Sequence, residues 1–173
     1  HDAIIDLHFD VVAEDSRIPA WGSPFDNPAE LRANLPAFER LLEHNRKARI
    51  VWAHAGSDML GFWTPALSRR LLAKHSNLYM SLRVDFGRAP QNHPVDGAGA
   101  LKPEWLQLLA EFPDRFVIGG DQFIFAPGPG GLPGFAQRAP VVREKTRALL
   151  EQLPPELARK IGIDNASRLY RLK

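Results

Sequence analysis

The stretch RIVWAHA, residues 49–55, decides the fold of this 173-residue chain. Its residues are almost continuously apolar, which is typical of a strand buried on both faces of a parallel sheet, since a half-exposed strand alternates polar with apolar residues. Three further segments share this character, and they are AIIDLHF (3–9), NLYMSLR (77–83) and RFVIGGD (115–121). The sequence therefore predicts a parallel sheet of these four strands.

Helical patterns alternate with the predicted strands. Apolar residues recur at helical spacing in four places: Leu35, Phe38, Leu41 and Leu42; Ala66, Leu67, Leu71 and Leu72; Trp105, Leu106, Leu108 and Leu109; Val141, Val142, Ala148 and Leu149. This order of strands and helices favours βαβ units and an α/β fold. The loops that follow the predicted strands are long, and in α/β proteins such loops form the ligand-binding sites.

The length of the chain corresponds to half of a (β/α)8 barrel. A complete barrel takes about 250 residues, or roughly 31 per unit, and this chain carries four units with long loops. We expect residues 1–173 to form a single, partial barrel domain. An open half-barrel leaves strand edges unpaired and one sheet face uncovered, so we expect it to need a partner half or self-association.

The composition is that of an ordinary globular protein. Hydrophobic residues make up 45% of the chain and charged residues 24%, with a formal net charge of +2. Lys and Arg are interspersed with acidic residues, so we expect no nucleic-acid partner. No apolar run is long enough to span a membrane, and we expect a cytoplasmic protein that binds a small-molecule substrate. Without cysteine, any metal must be held by imidazole and carboxylate groups.

His8, His54 and Asp121 stand at or next to the ends of three predicted strands. Because the carboxyl ends of parallel strands meet at one edge, we expect these side chains to converge. Each alone has an ordinary interpretation, as a packing histidine or a turn aspartate. Together they favour a divalent-metal site, and imidazole with carboxylate suits zinc.

Several motifs resemble the second half of an amidohydrolase-superfamily barrel across nearly the whole chain. They are DLHFD (6–10), VWAHAG (51–56), NLYMSLR (77–83), RFVIGGDQF (115–123) and IGIDNASRLYRL (161–172). The most similar group contains aminocarboxymuconate-semialdehyde decarboxylase and pyrone-dicarboxylate lactonase. The resemblance implies that His8 and Asp121 bind the metal, that Asp121 takes a proton from metal-activated water, and that His54 polarises the substrate or serves as a second base.

That resemblance implies a metal-dependent hydrolase that opens a small carboxylated lactone, ester or amide. Decarboxylation of a similar acid on the same site is the alternative. A further alternative is a noncatalytic half-barrel that associates with its own N-terminal half or with a second copy.

The H-x-H pair of the family's first strand is absent, since no two of the six histidines stand two apart. If these residues are the whole polypeptide, we expect weak metal binding and little turnover. If the protein is longer, the site is completed upstream.

Two further features allow alternative interpretations. Arg83 ends the third strand, where its guanidinium could bind a substrate carboxylate in bidentate fashion or pair with Asp85 or another loop acid. N-A-S at 165–167 fits a glycosylation sequon, but we expect Asp164 and Asn165 to cap the last helix.

Overall fold

A computed structural model describes residues 3–12, 18–19, 30–31, 33–84, 89–121 and 138–172. Four parallel strands form one sheet in the order β1-β4-β5-β6, and a short antiparallel pair, β2 with β3, lies apart from it. The strands are β1 (Ile4–Leu7), β2 (Ile18–Pro19), β3 (Glu30–Leu31), β4 (Arg49–Ala55), β5 (Leu78–Leu82) and β6 (Phe116–Ile118). The predicted α/β class, with four parallel βα units as in a partial barrel, is confirmed.

The helices alternate with the sheet strands as predicted. They are α1 (Leu35–His44), α2 (Pro65–Lys74), α3 (Pro103–Glu111), α4 (Arg138–Leu150), α5 (Pro155–Arg159) and α6 (Asn165–Tyr170), with a 3-10 turn at Pro90–Asn92 and a π-helical turn at Lys160–Asp164. Proline lies in the first turn of α1, α2, α3 and α5, where its missing N–H costs no helical hydrogen bond. None of the described helices is both long and apolar enough to cross a membrane.

The main core lies between the sheet and its helices. The register aligns Trp52 with Met80 and Met80 with Phe116, and all three side chains are fully buried. Trp52 stacks on Trp63 with ring centroids 3.7 Å apart, and Phe9 stacks on Trp52 at 4.9 Å. The burial of large aromatic rings is a dominant contribution to the stability of a protein core.

The opposite face of the sheet is partly covered by the C-terminal helix. Leu169 of α6 packs against Val51 and Val117, and the Tyr170 hydroxyl donates a hydrogen bond to Asp6 at 2.9 Å. Burial, followed by the bond to Asp6, raises the pKa of Tyr170. The prediction of an uncovered sheet face is therefore wrong for the part that α6 contacts.

The structure differs from the sequence-based predictions at two strand ends and at the start of the last helix. The first and last strands are shorter than predicted, so His8 and Asp121 lie beyond the ends of β1 and β6 and only His54 lies within a strand. Asp164 and Asn165 do not cap a helix, because the π-helical turn joins α5 to α6 without a free amino end. The Asn165 side chain is buried and donates instead to the carbonyl groups of Pro113 and Phe116, both at 2.8 Å.

We predict that Asn165→Ala lowers the free energy of unfolding by about 3 kcal/mol, because it leaves two carbonyl groups without their donors in a buried place. Urea unfolding measures the change. Asn45→Ala is the matched control, since Asn45 is exposed and its side chain accepts one local bond, from the Lys47 N–H. Equal losses in the two variants would contradict the anchoring role of Asn165.

Candidate functional site

Four side chains meet at the carboxyl end of the sheet, and we call this group, His8, His54, Arg83 and Asp121, the carboxyl rim. The rings of His8 and His54 are in edge contact, with centroids 4.3 Å apart and planes at 67°. His54 Nε2 lies 3.7 Å from Asp121 Oδ2, and Arg83 Nη1 donates to the same oxygen at 2.6 Å. The structure thus brings together all the residues that the sequence singled out for chemistry, while their roles stay predictions.

Arg83 pairs with Asp121 within the carboxyl rim. Asp85, the loop acid considered as its partner, lies outside the described residues. The side chain of Arg83 is 12% exposed and that of Asp121 is 31% exposed, so the ion pair is partly shielded from water. The guanidinium that was predicted to bind a substrate carboxylate is engaged here by a carboxylate of the chain itself.

The backbone is in an unusual conformation at two of these residues. His54 has φ 74° and Asp121 has φ 44°, and among the described non-glycine residues only Arg171 shares this left-handed region. Asp and His are tolerated there better than most residues, yet the conformation still costs on the order of 1 kcal/mol each. Such strain concentrates at functional sites.

A register shift between Trp52 and Ala55 produces the conformation of His54. The ladder between β4 and β5 is irregular at this point, and the His54 N–H donates to the Ser81 hydroxyl at 3.2 Å. Ser81 also lies where a side chain at Gly119 would be, since a Cβ there would be 2.4 Å from Ser81 Oγ. Ser81 on β5 therefore bonds β4 on one side and fills the space beside Gly119, just beyond β6, on the other.

His54 is neutral at pH 7. Burial of the ring lowers its pKa to about 4, the neighbouring His8 and the Arg83 guanidinium act in the same direction, and Asp121 opposes them. A neutral imidazole keeps one nitrogen lone pair and one N–H. His54 can therefore bind a metal or hydrogen-bond a substrate without first losing a proton.

Asp58 is a residue of this region that sequence reasoning missed. It is 2% exposed and lies in the loop that follows β4. Its carboxylate accepts four hydrogen bonds, from the N–H groups of Leu60, Gly61 and Trp63 and from the side chain of Asn92. Its own carbonyl accepts from Ala89 N–H at 3.0 Å. Asp58 thereby joins the loop that follows β4 to the loop that follows β5. The sequence signal that could have identified Asp58 was its position four residues after His54 of the VWAHAG motif.

Gly56 brings the same two loops together. It has φ +90°, and a Cβ there would lie 2.5 Å from Pro94 Cγ and 2.8 Å from the Arg83 carbonyl oxygen. No side chain fits in that space, so glycine is required both by its backbone conformation and by the close approach. The backbone of Arg83 is held against β4 by this contact and by its N–H bond to the Ala55 carbonyl.

The donor chemistry of the carboxyl rim fits a divalent ion. It offers two imidazole groups and a carboxylate. Asp121 Oδ2 already accepts a hydrogen bond from a cationic group, the guanidinium of Arg83. The ligand atoms of His8, His54 and Asp121 do not all lie within 4.8 Å of one another. Within the described part of the chain, only Glu39, Glu43 and His75 bring their ligand atoms that close together. Two or three donors of this rim are a partial ligand set, which needs completion by other groups.

The set of Glu39, Glu43 and His75 lies at the amino end of the sheet and is an ion-pair cluster. Lys74 contacts both carboxylates, and Arg70 Nη1 donates to Glu39 at 2.8 Å. The hydrogen bond from Lys74 is the largest of several contributions that together lower the pKa of Glu39 to about 2. Ammonium and guanidinium groups thus already neutralise these acids and join α1 to α2.

A comparison with protein families matches the amidohydrolase family over residues 1–172. The chain belongs to the amidohydrolase family. Amidohydrolases generally use divalent metals, in line with the donors of the carboxyl rim. No curated protein matches this amidohydrolase chain significantly.

Among solved structures, dihydroorotase from Campylobacter jejuni is similar at 21% identity and a TM-score of 0.44. The match covers 80% of this chain and 42% of the dihydroorotase chain, so this amidohydrolase chain spans less than half of that enzyme's length.

We predict that Glu39→Gln is less stable than the wild type near neutral pH and that this difference disappears on acidification. The folded-state pKa of Glu39, about 2, lies below the ordinary value of 4.5 for a glutamate side chain. The stabilisation is therefore present above pH 4.5 and is lost as the pH falls toward 2. Urea unfolding of both proteins between pH 6 and pH 2 measures it.

The matched control for this prediction is Glu144→Gln, at an exposed position of α4, which should leave the pH dependence of unfolding as it is. A Glu39→Gln difference that persists unchanged at pH 2 would rule out the predicted role of the carboxylate charge.

We also predict that Asp58→Asn lowers the free energy of unfolding by about 2 kcal/mol, because an amide NH2 would then face N–H donors in a buried place. Asp96→Asn is the control, since exposed Asp96 accepts from Ala98 and Ala100 through one oxygen that asparagine retains. Similar losses in the two variants would show that Asp58 does not hold the two loops together.

Proposed function

We propose that this chain supplies the C-terminal part of a metal-dependent hydrolase site of amidohydrolase type. The single observation that supports it is the meeting of His8, His54, Arg83 and Asp121 at one rim, with His54 and Asp121 in a strained backbone conformation. Packing alone gives no reason to place two strained, ligand-type residues side by side. The substrate class we propose is a small carboxylated lactone, ester or amide.

In this proposal, His8 and Asp121 hold the metal, and zinc suits their imidazole and carboxylate groups. When bound, a divalent ion would lower the pKa of water to about 7. Asp121 would accept, at a carboxylate oxygen, the proton that the attacking water gives up. His54, neutral at pH 7 because of its lowered pKa, donates its N–H to the substrate carbonyl group. General acid–base steps of this kind contribute about 100-fold to 10,000-fold in rate.

Arg83 binds the substrate carboxylate in this proposal. Guanidinium groups form two parallel hydrogen bonds with a carboxylate, which fixes the orientation as well as the position of the bound acid. The present contact of Arg83 with Asp121 demonstrates that its guanidinium reaches a carboxylate at this rim. A substrate held there would place its neighbouring carbonyl group beside His54.

The remaining ligands and strands come from a partner in this proposal. Within the described residues, β1 and β6 each pair along one side only, and Ile5 on β1 is 38% exposed. An open edge of this kind favours the addition of further strands. An upstream half of the same polypeptide or a second copy could supply them, and sedimentation distinguishes assembly from a monomer.

We predict that Asp121→Asn loses most of its bound zinc and at least about 100-fold in hydrolysis of a panel of carboxylated lactones, esters and amides. Asparagine tolerates a positive φ, so the variant should stay folded. The measurements are elemental analysis and product formation by the polypeptide that carries this chain, and carbon dioxide release tests the decarboxylase alternative.

The control is Asp96→Asn, which removes an exposed carboxylate of the loop before α3 and should retain zinc and activity. Unchanged zinc content and turnover in Asp121→Asn would sink the proposed function.

A further inference from the structure

We propose that Ser81 is a positioning residue of the carboxyl rim, which sets where His54 and Asp121 lie relative to each other. Ser81 lies on β5, between the strand that carries His54 and the segment that carries Asp121. It acts through these two neighbours and not as a ligand. The inference deepens the proposed function and rests on it where it concerns the metal, because Ser81 sets the spacing at which an ion and a substrate would be held.

The Ser81 hydroxyl holds His54 from the side of β5. The His54 N–H donates to Ser81 Oγ at 3.2 Å, at the point where the ladder between β4 and β5 shifts its register. In a regular parallel ladder such an N–H bonds a carbonyl group of the neighbouring strand, and here the hydroxyl oxygen takes that place. Because the bond is made in the left-handed conformation of His54, φ 74°, it offsets part of the strain of that conformation.

The same side chain limits the approach of the segment that carries Asp121. The Gly119 N–H donates to the Leu82 carbonyl at 3.0 Å, and a Cβ at Gly119 would lie 2.4 Å from Ser81 Oγ and 2.5 Å from Ser81 Cβ. Gly119 therefore packs directly against the Ser81 side chain, and only Gly120 separates it from Asp121. We expect a change of volume at Ser81 or Gly119 to move Asp121.

Two features make the carboxyl rim sensitive to these contacts. Ser81 is 8% exposed, so solvent does not readily replace its oxygen as the acceptor for the His54 N–H. The rings of His8 and His54 have centroids 4.3 Å apart, and His54 Nε2 lies 3.7 Å from Asp121 Oδ2. Imidazole and carboxylate groups bind zinc at about 2.0–2.2 Å. Small shifts of these side chains therefore change the affinity, and loss of a group that orients metal ligands typically costs about 10-fold to 100-fold.

The contact between the two histidine rings tests the positioning without a metal. Ser81→Ala keeps the Cβ that packs against Gly119 and removes only the oxygen. In the metal-free polypeptide that carries this chain, the nuclear Overhauser effect between the ring protons of His8 and His54 should be lost in Ser81→Ala, because the His54 N–H no longer has its acceptor. Ser81→Thr, which retains the hydroxyl and suits a strand, should keep the effect of the wild type.

Ser68→Ala is the matched control for the ring contact. Ser68 is fully buried on α2, outside the carboxyl rim, and its Oγ accepts a hydrogen bond from Trp63 Nε1 at 3.0 Å. This variant also removes a buried hydroxyl acceptor, and it should keep the effect between the rings. An unchanged effect in Ser81→Ala, or equal loss in Ser68→Ala, overturns the positioning role. Loss in folded Ser81→Thr as well would assign the effect to side-chain volume and overturns the role of the hydroxyl.

Calorimetric titration with Zn2+ tests the consequence for the metal. Ser81→Ala and Gly119→Ala should each bind Zn2+ about tenfold more weakly than the wild type, the first through His54 and the second through the segment that carries Asp121. Ser68→Ala is again the control for the lost hydroxyl. Gly97→Ala is the control for the added methyl group, because a Cβ at Gly97 would meet no atom within 4 Å. Both controls should bind Zn2+ as the wild type does.

The outcomes separate this inference from the proposed function. Wild-type Zn2+ affinity in folded Ser81→Ala and Gly119→Ala overturns the positioning role at the metal and leaves the proposed metal site standing. Absence of Zn2+ binding in every protein overturns the proposed metal site and the affinity part of this inference. The contact between the rings, which needs no metal, then still decides whether Ser81 positions His54. Circular dichroism establishes that each variant compared is folded.

Discussion

Burial of β4 on both faces is the constraint on which the rest of the structure depends. Trp52 faces the helices and Val51 faces α6, and neither side chain is exposed to solvent. A strand between two apolar layers cannot slip by one residue, because every side chain would change face. The register of the neighbouring strands follows from it, and the carboxyl end of β4 is thereby fixed beside those of β1 and β5.

The two ends of the sheet handle their charges differently. At the amino end, acids are neutralised by nearby cations: Glu39 by Lys74 and Arg70, and Asp114 by Lys160 and Arg168, which hold the pKa of Asp114 below its usual value. At the carboxyl end, Arg83 and Asp121 pair beside two histidines in contact. In βα folds the amino end serves stability and the carboxyl end serves chemistry, and the ion-pair clusters at the amino end of this sheet fit the first half of that rule.

Strain at the carboxyl rim is supported by rigid surroundings. The positive φ values of His54 and Asp121 are unfavourable, and they persist because bonds nearby are well formed. Ser81 accepts the N–H that the register shift leaves without a ladder partner. Asp58, with four donors to its carboxylate, holds the loops that leave β4 and β5. A site whose residues are fixed in this way loses less entropy when it binds a ligand.

The sequence by itself determined the α/β class, the four parallel strands and the rim at which His8, His54 and Asp121 meet. These depend on apolar periodicity and on the rule that parallel strands end at one edge, both of which are local or topological. The short ends of β1 and β6 were missed because strand boundaries depend on neighbours: Gly119 follows β6 at the point where Ser81 occupies the space of a side chain.

Only the tertiary structure decided what each polar residue contacts. It paired Arg83 with Asp121, gave Asp58 its four donors, and turned Asn165 from an expected cap into an anchor for the segment that leads into β6. The contacts of Arg83 with Asp121, of Asp58 with Asn92 and of Asn165 with Pro113 each join residues more than 30 positions apart in sequence. No local pattern encodes such a partner, because a hydrogen bond depends on the position and direction of two groups that the packed sheet alone brings together.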